Sequence, residues 1–80
     1  MQIIYEKMNY FKVPYAVLVI RKFAEYYSLQ TRQAYEYLKR HGGIDFIDNC
    51  YEAEHLLSID DAIEDLTAVC QNNGGGLVYA

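Results

Sequence analysis

Apolar residues recur with helical spacing along most of the chain. From Pro14 to Tyr27, Ala16, Val17, Leu18, Val19, Ile20, Phe23, Ala24 and Tyr27 wrap most of the wheel and leave Arg21, Lys22 and Glu25 on one side. That is the pattern of a central helix with neighbours on several faces, and Pro14 suits its first turn, where the missing N–H has no intrahelical partner to lose. Ser28-Leu29-Gln30 interrupts the pattern. Thr31 is placed to cap a second helix reaching about His41, with Ala34, Tyr37, Leu38 and His41 on one stripe, and Gly42 can turn left-handed and stop it. A third helix, Ile44 to about His55, would bury Ile44, Ile47, Cys50 and Tyr51 and turn Asp45, Asp48 and Glu52 to water. After Leu56-Leu57, Ser58 and Asp61 have the spacing of a capping box, and Ile59, Ala62, Ile63, Leu66, Val69 and Cys70 form the stripe of a fourth helix, ended by Asn72-Asn73-Gly74-Gly75-Gly76.

The flanks carry less pattern. Ile4, Met8 and Phe11 have helical spacing, but Ile3-Ile4-Tyr5 reads equally as a short strand beside Leu77-Val78-Tyr79; a short helix or irregular segment is the favoured reading. The expected fold is all-α: one domain over residues 1–80, a small bundle of four main helices with short terminal segments that could be extended. Residues 1–12 would be the N-terminal segment, 13–73 the helical core and 74–80 a Gly-rich tail.

Composition sharpens this picture mainly through charge. Residues 1–41 hold all seven basic groups against three acids, whereas residues 42–80 hold eight acids and neither Lys nor Arg. The molecule should therefore be an electrical dipole, which permits internal pairing, head-to-tail self-association or an acidic surface that steers a basic partner onto it. A chain of 80 residues buries only roughly 60% of its unfolded surface, so self-association, most simply a symmetric dimer, is expected. Nine tyrosines suit half-buried positions and interfaces. Val13 to Ile20 is too short to cross a bilayer, and no basic and apolar leader opens the chain; a cytoplasmic protein with no membrane role is expected. Cys50 and Cys70 fall in apolar stripes and read as buried free thiols.

Candidate chemistry is sparse. His41, Cys50, His55 and Cys70 show no metal-ligand spacing, so neither metal nor cofactor is expected. The carboxylate pairs Asp45/Asp48, Asp60/Asp61 and Glu64/Asp65 fall on outer helical faces, where acid–base catalysis gains little. Gly74-Gly75-Gly76 lacks the strand, the helix and the Lys-Ser/Thr of a phosphate cradle. Tyr51 and His55, four apart, can touch on one helix. Residues 23–41 imitate a helix-turn-helix, in which Gln30, Thr31, Arg32, Tyr35 and Glu36 would face the groove with Lys39 and Arg40 near phosphates. The unopposed acids downstream disfavour nucleic acid.

Several blocks together resemble the family called domain of unknown function 3791: Ala24-Glu25-Tyr26-Tyr27-Ser28-Leu29, Gln33-Ala34-Tyr35-Glu36-Tyr37-Leu38, Gly42-Gly43-Ile44-Asp45-Phe46-Ile47, Tyr51-Glu52-Ala53-Glu54-His55-Leu56-Leu57-Ser58 and Cys70-Gln71-Asn72-Asn73-Gly74-Gly75. The resemblance covers roughly residues 13–77, and Leu56 stands where the family pattern has Thr. It implies a small bacterial helical protein without assigned activity, encoded beside proteins that resemble ADP-ribosyltransferases, and hence an antitoxin or immunity-type regulator of such an adjacent enzyme. The expected function is a non-catalytic protein-binding module. Asp45, Asp48, Glu52, Asp60, Asp61, Glu64 and Asp65 are the candidate contact residues, and Tyr51 and His55 are family-motif residues of unassigned role. The alternatives are a DNA-binding regulator using Thr31, Arg32, Tyr35, Lys39 and Arg40, and a structural homo-oligomer.

Overall fold

The central apolar segment folds as its spacing dictates, with Ala16, Val19, Ile20, Phe23 and Ala24 buried along one stripe of a helix from Val13 to Tyr26. In the computed structural model, which describes residues 2–79, this is α2 of six helices: α1 Gln2–Lys7, α2 Val13–Tyr26, α3 Thr31–Arg40, α4 Gly43–Asn49, α5 Tyr51–Glu54 and α6 Ile59–Asn72. Met1 and Ala80, the ends of the expected domain, lie outside the described residues. The fold is all-α, and no strand forms among the described residues; the segment around Ile4 is helical and Leu77–Tyr79 is irregular. α2 packs on α3 and α6, while α4 fits between α3 and α6. Ile4, Val19, Ile20, Phe23, Leu38, Ile47 and Leu66 fill the space between them. No helix among the described residues is long and apolar enough to cross a membrane.

Helix ends explain the connections. α2 stops because Ser28 adopts a left-handed backbone, φ 56°, and the Leu29 and Ser28 N–H groups then donate to the carbonyls of Ala24 and Glu25 at 2.8 and 3.2 Å. α6 stops the same way at Gly74, φ 88°, where the Gly75 N–H reaches Cys70 O at 2.8 Å; both are two-bond helix stops that satisfy the last carbonyls. Gly42 ends α3 with φ 81°, as its position after His41 predicts. The start of α3 differs from expectation. Gln30, not Thr31, is the capping residue, in extended backbone, and the Gln33 side chain accepts from its N–H at 2.9 Å. Ser58 does cap α6, its Oγ accepting from the Asp61 N–H at 3.1 Å.

Two corrections matter for the site. The helix expected from Ile44 to His55 is two helices, broken at Cys50, whose φ of −111° interrupts the helical ladder. α2 also buries less than its apolar content suggested, because neighbours cover one stripe only and Leu18 is 41% exposed. The tail, by contrast, is docked: the Leu77 N–H donates to the Tyr37 hydroxyl at 3.1 Å, Gln71 holds the Leu77 carbonyl at 2.9 Å, and Tyr79 stacks on Tyr26 at 5.1 Å.

Candidate docking face

The break at Cys50 sets α5 against the chain entering α2 and assembles a run of aromatic rings. Phe11 meets Tyr10 edge-on at 6.0 Å and Tyr51 at 5.7 Å. Tyr15 meets Tyr51 at 5.5 Å, and Tyr51 stacks on His55 at 4.4 Å with the rings 3° from parallel. The His55 Nδ1–H donates to the Tyr51 carbonyl at 2.7 Å, which fixes the ring and leaves Nε2 for solvent or a partner. Tyr10 is 88% exposed, Phe11 50% and Leu56 78%, with Leu57 following Leu56 and Leu18 one turn beyond Tyr15. Exposed rings joined in this way mark an interaction face rather than scattered exposure. The helical spacing of Tyr51 and His55 foretold their contact; Tyr10, Phe11 and Tyr15 come from a different part of the chain, and only the fold brings them there.

The seven carboxylates named from the sequence do not behave as one surface. Asp45 pairs with Lys7, and Asp48 with Lys12 at 3.2 Å; Lys12 also donates to the Asp48 carbonyl at 3.0 Å. These two contacts use the charge division internally, tying the N-terminal segment to α4; Asp45 remains exposed and Asp48 is half-buried. The pairing with Asp45 also raises the Lys7 pKa. Glu52, Asp60, Asp61 and Glu64 are exposed, and Asp65 is half-buried. Glu52 adjoins Tyr51, and Leu56-Leu57 leads directly into the acidic first turn of α6. The nearest cation, Lys12, lies 6.0 Å from the Tyr51 ring centroid and is engaged by Asp48; Lys22 pairs with Glu25 at 3.5 Å. Glu52 thus borders the aromatic face through Tyr51, whereas Asp60, Asp61 and Glu64 stand around Tyr79, which stacks on Tyr26.

Beneath the face lies a residue the sequence reading passed over. Glu54 is only 8% exposed, its Oε1 has no hydrogen-bond partner, and the Asp65 carboxyl of α6 stands beside it. Burial first, and the Asp65 carboxyl second, push the Glu54 pKa up to about 7. The same burial, with the charge of Glu54 adding to it, pushes the Tyr15 phenol up to about 12. The seven-residue spacing from Ile47 would have put Glu54 on the inner side of the single helix expected there; the helix breaks at Cys50, and Glu54 is buried all the same.

On α3, Arg32, Lys39 and Arg40 are exposed and Thr31 is half-buried. Tyr35 is 7% exposed and packs in the core, so the expectation that it would face a DNA groove is wrong: Ala34, Tyr35 and Leu38 form the inner stripe. His41 is held through Nδ1–H to the Asn73 carbonyl at 2.9 Å. Cys70 is buried as expected, but Cys50 is half-buried, and both thiols are free.

The family model described as a protein of unknown function, DUF3791, matches residues 14–73. No curated protein and no solved structure matches the chain.

Proposed function

The chain belongs to the DUF3791 family, and we propose that it works as a non-catalytic module that binds another protein through the face built on Tyr10, Phe11, Tyr51, His55 and Leu56. The observation that carries this reading is the joined set of aromatic rings, in which Tyr10 and Phe11 are exposed and Tyr51 is half-buried. Aromatic side chains supply anchoring area, and the exposed carboxylates Glu52, Asp60, Asp61 and Glu64 favour a partner that carries basic residues. Its most concrete form is an antitoxin or immunity-type regulator of an adjacent ADP-ribosyltransferase-like enzyme, acting in the cytoplasm. Co-expression with the adjacent gene product tests it. The two should copurify, and Tyr10→Ala and Leu56→Ala, which touch mainly exposed side chains, should each weaken binding by about 2 kcal/mol, roughly thirtyfold in Kd. An enzyme whose activity and toxicity ignore this protein would refute the regulator, and wild-type affinity in both variants would refute the face.

A second reading, DNA binding through α3, draws on Arg32, Lys39 and Arg40, which form no ion pair among the described residues. It requires a salt-dependent shift of the operon's promoter DNA that Arg32→Ala and Lys39→Ala weaken. Self-association through the aromatic face is the remaining alternative, and sedimentation of the wild type against Tyr10→Ala separates it.

A further inference from the structure

We propose that Glu54 and Asp65 form a proton-operated latch that holds α5 against α6 and thereby sets whether Tyr51 and His55 stand in the docking face. The consequence for docking rests on the protein-binding reading above; the latch itself does not.

α5 is four residues long, and Glu54 is its one buried residue, so that side chain, with half-buried Tyr51 against Phe11 and Tyr15, holds it to the body of the protein. With Oε1 unpartnered and only 8% of the residue exposed, Glu54 has lost much of the water that an ionised carboxylate needs. The group Glu54 does meet is another carboxyl, that of Asp65, and two such groups side by side favour a state in which one proton lies between them. Among the described residues no cation pairs with either carboxyl. Tyr15 faces the pair from α2 as a neutral phenol; the titratable groups that α4, the break at Cys50 and α5 carry nearest in the chain are Asp48, held by Lys12, the Cys50 thiol, Tyr51 and His55. Loss of the shared proton leaves two anions side by side, which rotation of Glu54 into water, with α5 following, relieves.

The direction follows from linkage. Docked Glu54 titrates near 7, whereas once released to water it returns towards 4.5. The latch is therefore at full strength below the lower value, weakens as pH rises between the two, and weakens no further above the higher one. Opening can rise tenfold per pH unit across that interval, about 300-fold as an upper limit; the share of solvent that reaches the pair reduces this to about tenfold or more.

Amide hydrogen exchange on the full chain, followed by NMR at pH 5 and pH 7.5 and corrected for intrinsic rates, reads the latch directly. The His55 and Leu57 N–H groups, bonded to the carbonyls of Tyr51 and Glu54 at 3.0 Å each, should lose at least about tenfold in protection at the higher pH, while amides in the middle of α2 should not. Glu54→Gln, which keeps a hydrogen-bonding side chain but cannot ionise, should abolish the difference, and His55→Gln should preserve it. Equal pH dependence in Glu54→Gln would overturn the proposal, as would its loss in His55→Gln. Should Glu54→Gln not fold, the wild-type side-chain carboxyl resonance decides: a midpoint for Glu54 below pH 5 sinks the latch and one near 7 supports it. A latch that fails these tests leaves the docking face standing, and a face that binds nothing leaves the latch standing, because no partner enters this experiment.

Discussion

Gly43→Ala adds a single methyl group at a point where three helices meet. Gly43 is buried at the start of α4, and a Cβ there would lie 2.6 Å from Leu38 Cδ2, 3.1 Å from Leu38 Cβ and 3.3 Å from Cys70 Sγ. Its backbone is helical, so the penalty is one of space rather than of conformation. Overpacking a core by one methyl costs about 1–3 kcal/mol, and Ala recovers roughly 0.5–1 kcal/mol through its better helical preference. A net loss of about 1–2 kcal/mol is expected, which for a domain of this size is a fall in Tm of roughly 5–15 °C. Thermal melts followed by far-UV circular dichroism measure it, with Gly76→Ala as the control, since nothing lies within 4 Å of a Cβ at Gly76. Shortening the struck side chain should relieve most of the loss, so the penalty of Gly43→Ala should shrink in a Leu38→Ala background. Were Gly43→Ala to melt within about 2 °C of wild type, or to lose the same amount in both backgrounds, the close approach of α3, α4 and α6 at this point would be refuted. In this reading the paired glycines do different jobs: Gly42 supplies the left-handed backbone that ends α3, and Gly43 supplies the room for α4 to begin.

Two more outcomes follow from local structure. Ser28 holds a left-handed backbone that disfavours any side chain with a Cβ by roughly 1–2 kcal/mol, so Ser28→Gly should raise the urea midpoint by the equivalent of up to about 1 kcal/mol; an unchanged or lower midpoint would contradict the strain. Cys70 is fully buried, and burial pushes its thiol up to about 11, whereas Cys50 is half-buried. A disulfide reagent at pH 8 should therefore label Cys50 first and Cys70 only as the protein unfolds, and the reverse order would contradict the packing around α6.

Much of the fold is legible in the order of residues because its causes are local. The stripe Ala16, Val19, Ile20, Phe23 and Ala24, the Ser58 cap and the glycine stops at Gly42 and Gly74 all depend on spacings of three, four and seven residues or on one backbone angle. Where the sequence reading failed, the decision lay with a competing neighbour. Thr31 has the chemistry of a cap, yet the chain enters α3 one residue earlier, where Gln33 reaches back to Gln30. Tyr35 looks like a surface tyrosine beside Arg32 and Glu36, but the approach of α2 to α3 turns it inward.

What the residues alone determine, then, is that this chain forms helices, where most of them end, and that its charge divides between its halves, since backbone hydrogen bonding, side-chain periodicity and composition need no knowledge of distant contacts. The tertiary structure decides how those parts are used. It pairs Asp45 and Asp48 with Lys7 and Lys12, leaves Leu18 uncovered, gathers Tyr10, Phe11 and Tyr15 around Tyr51, and buries Glu54 against Asp65. Each of these depends on which surfaces meet across the fold, where burial and the electrostatic surroundings of a group are set by residues far away in the chain.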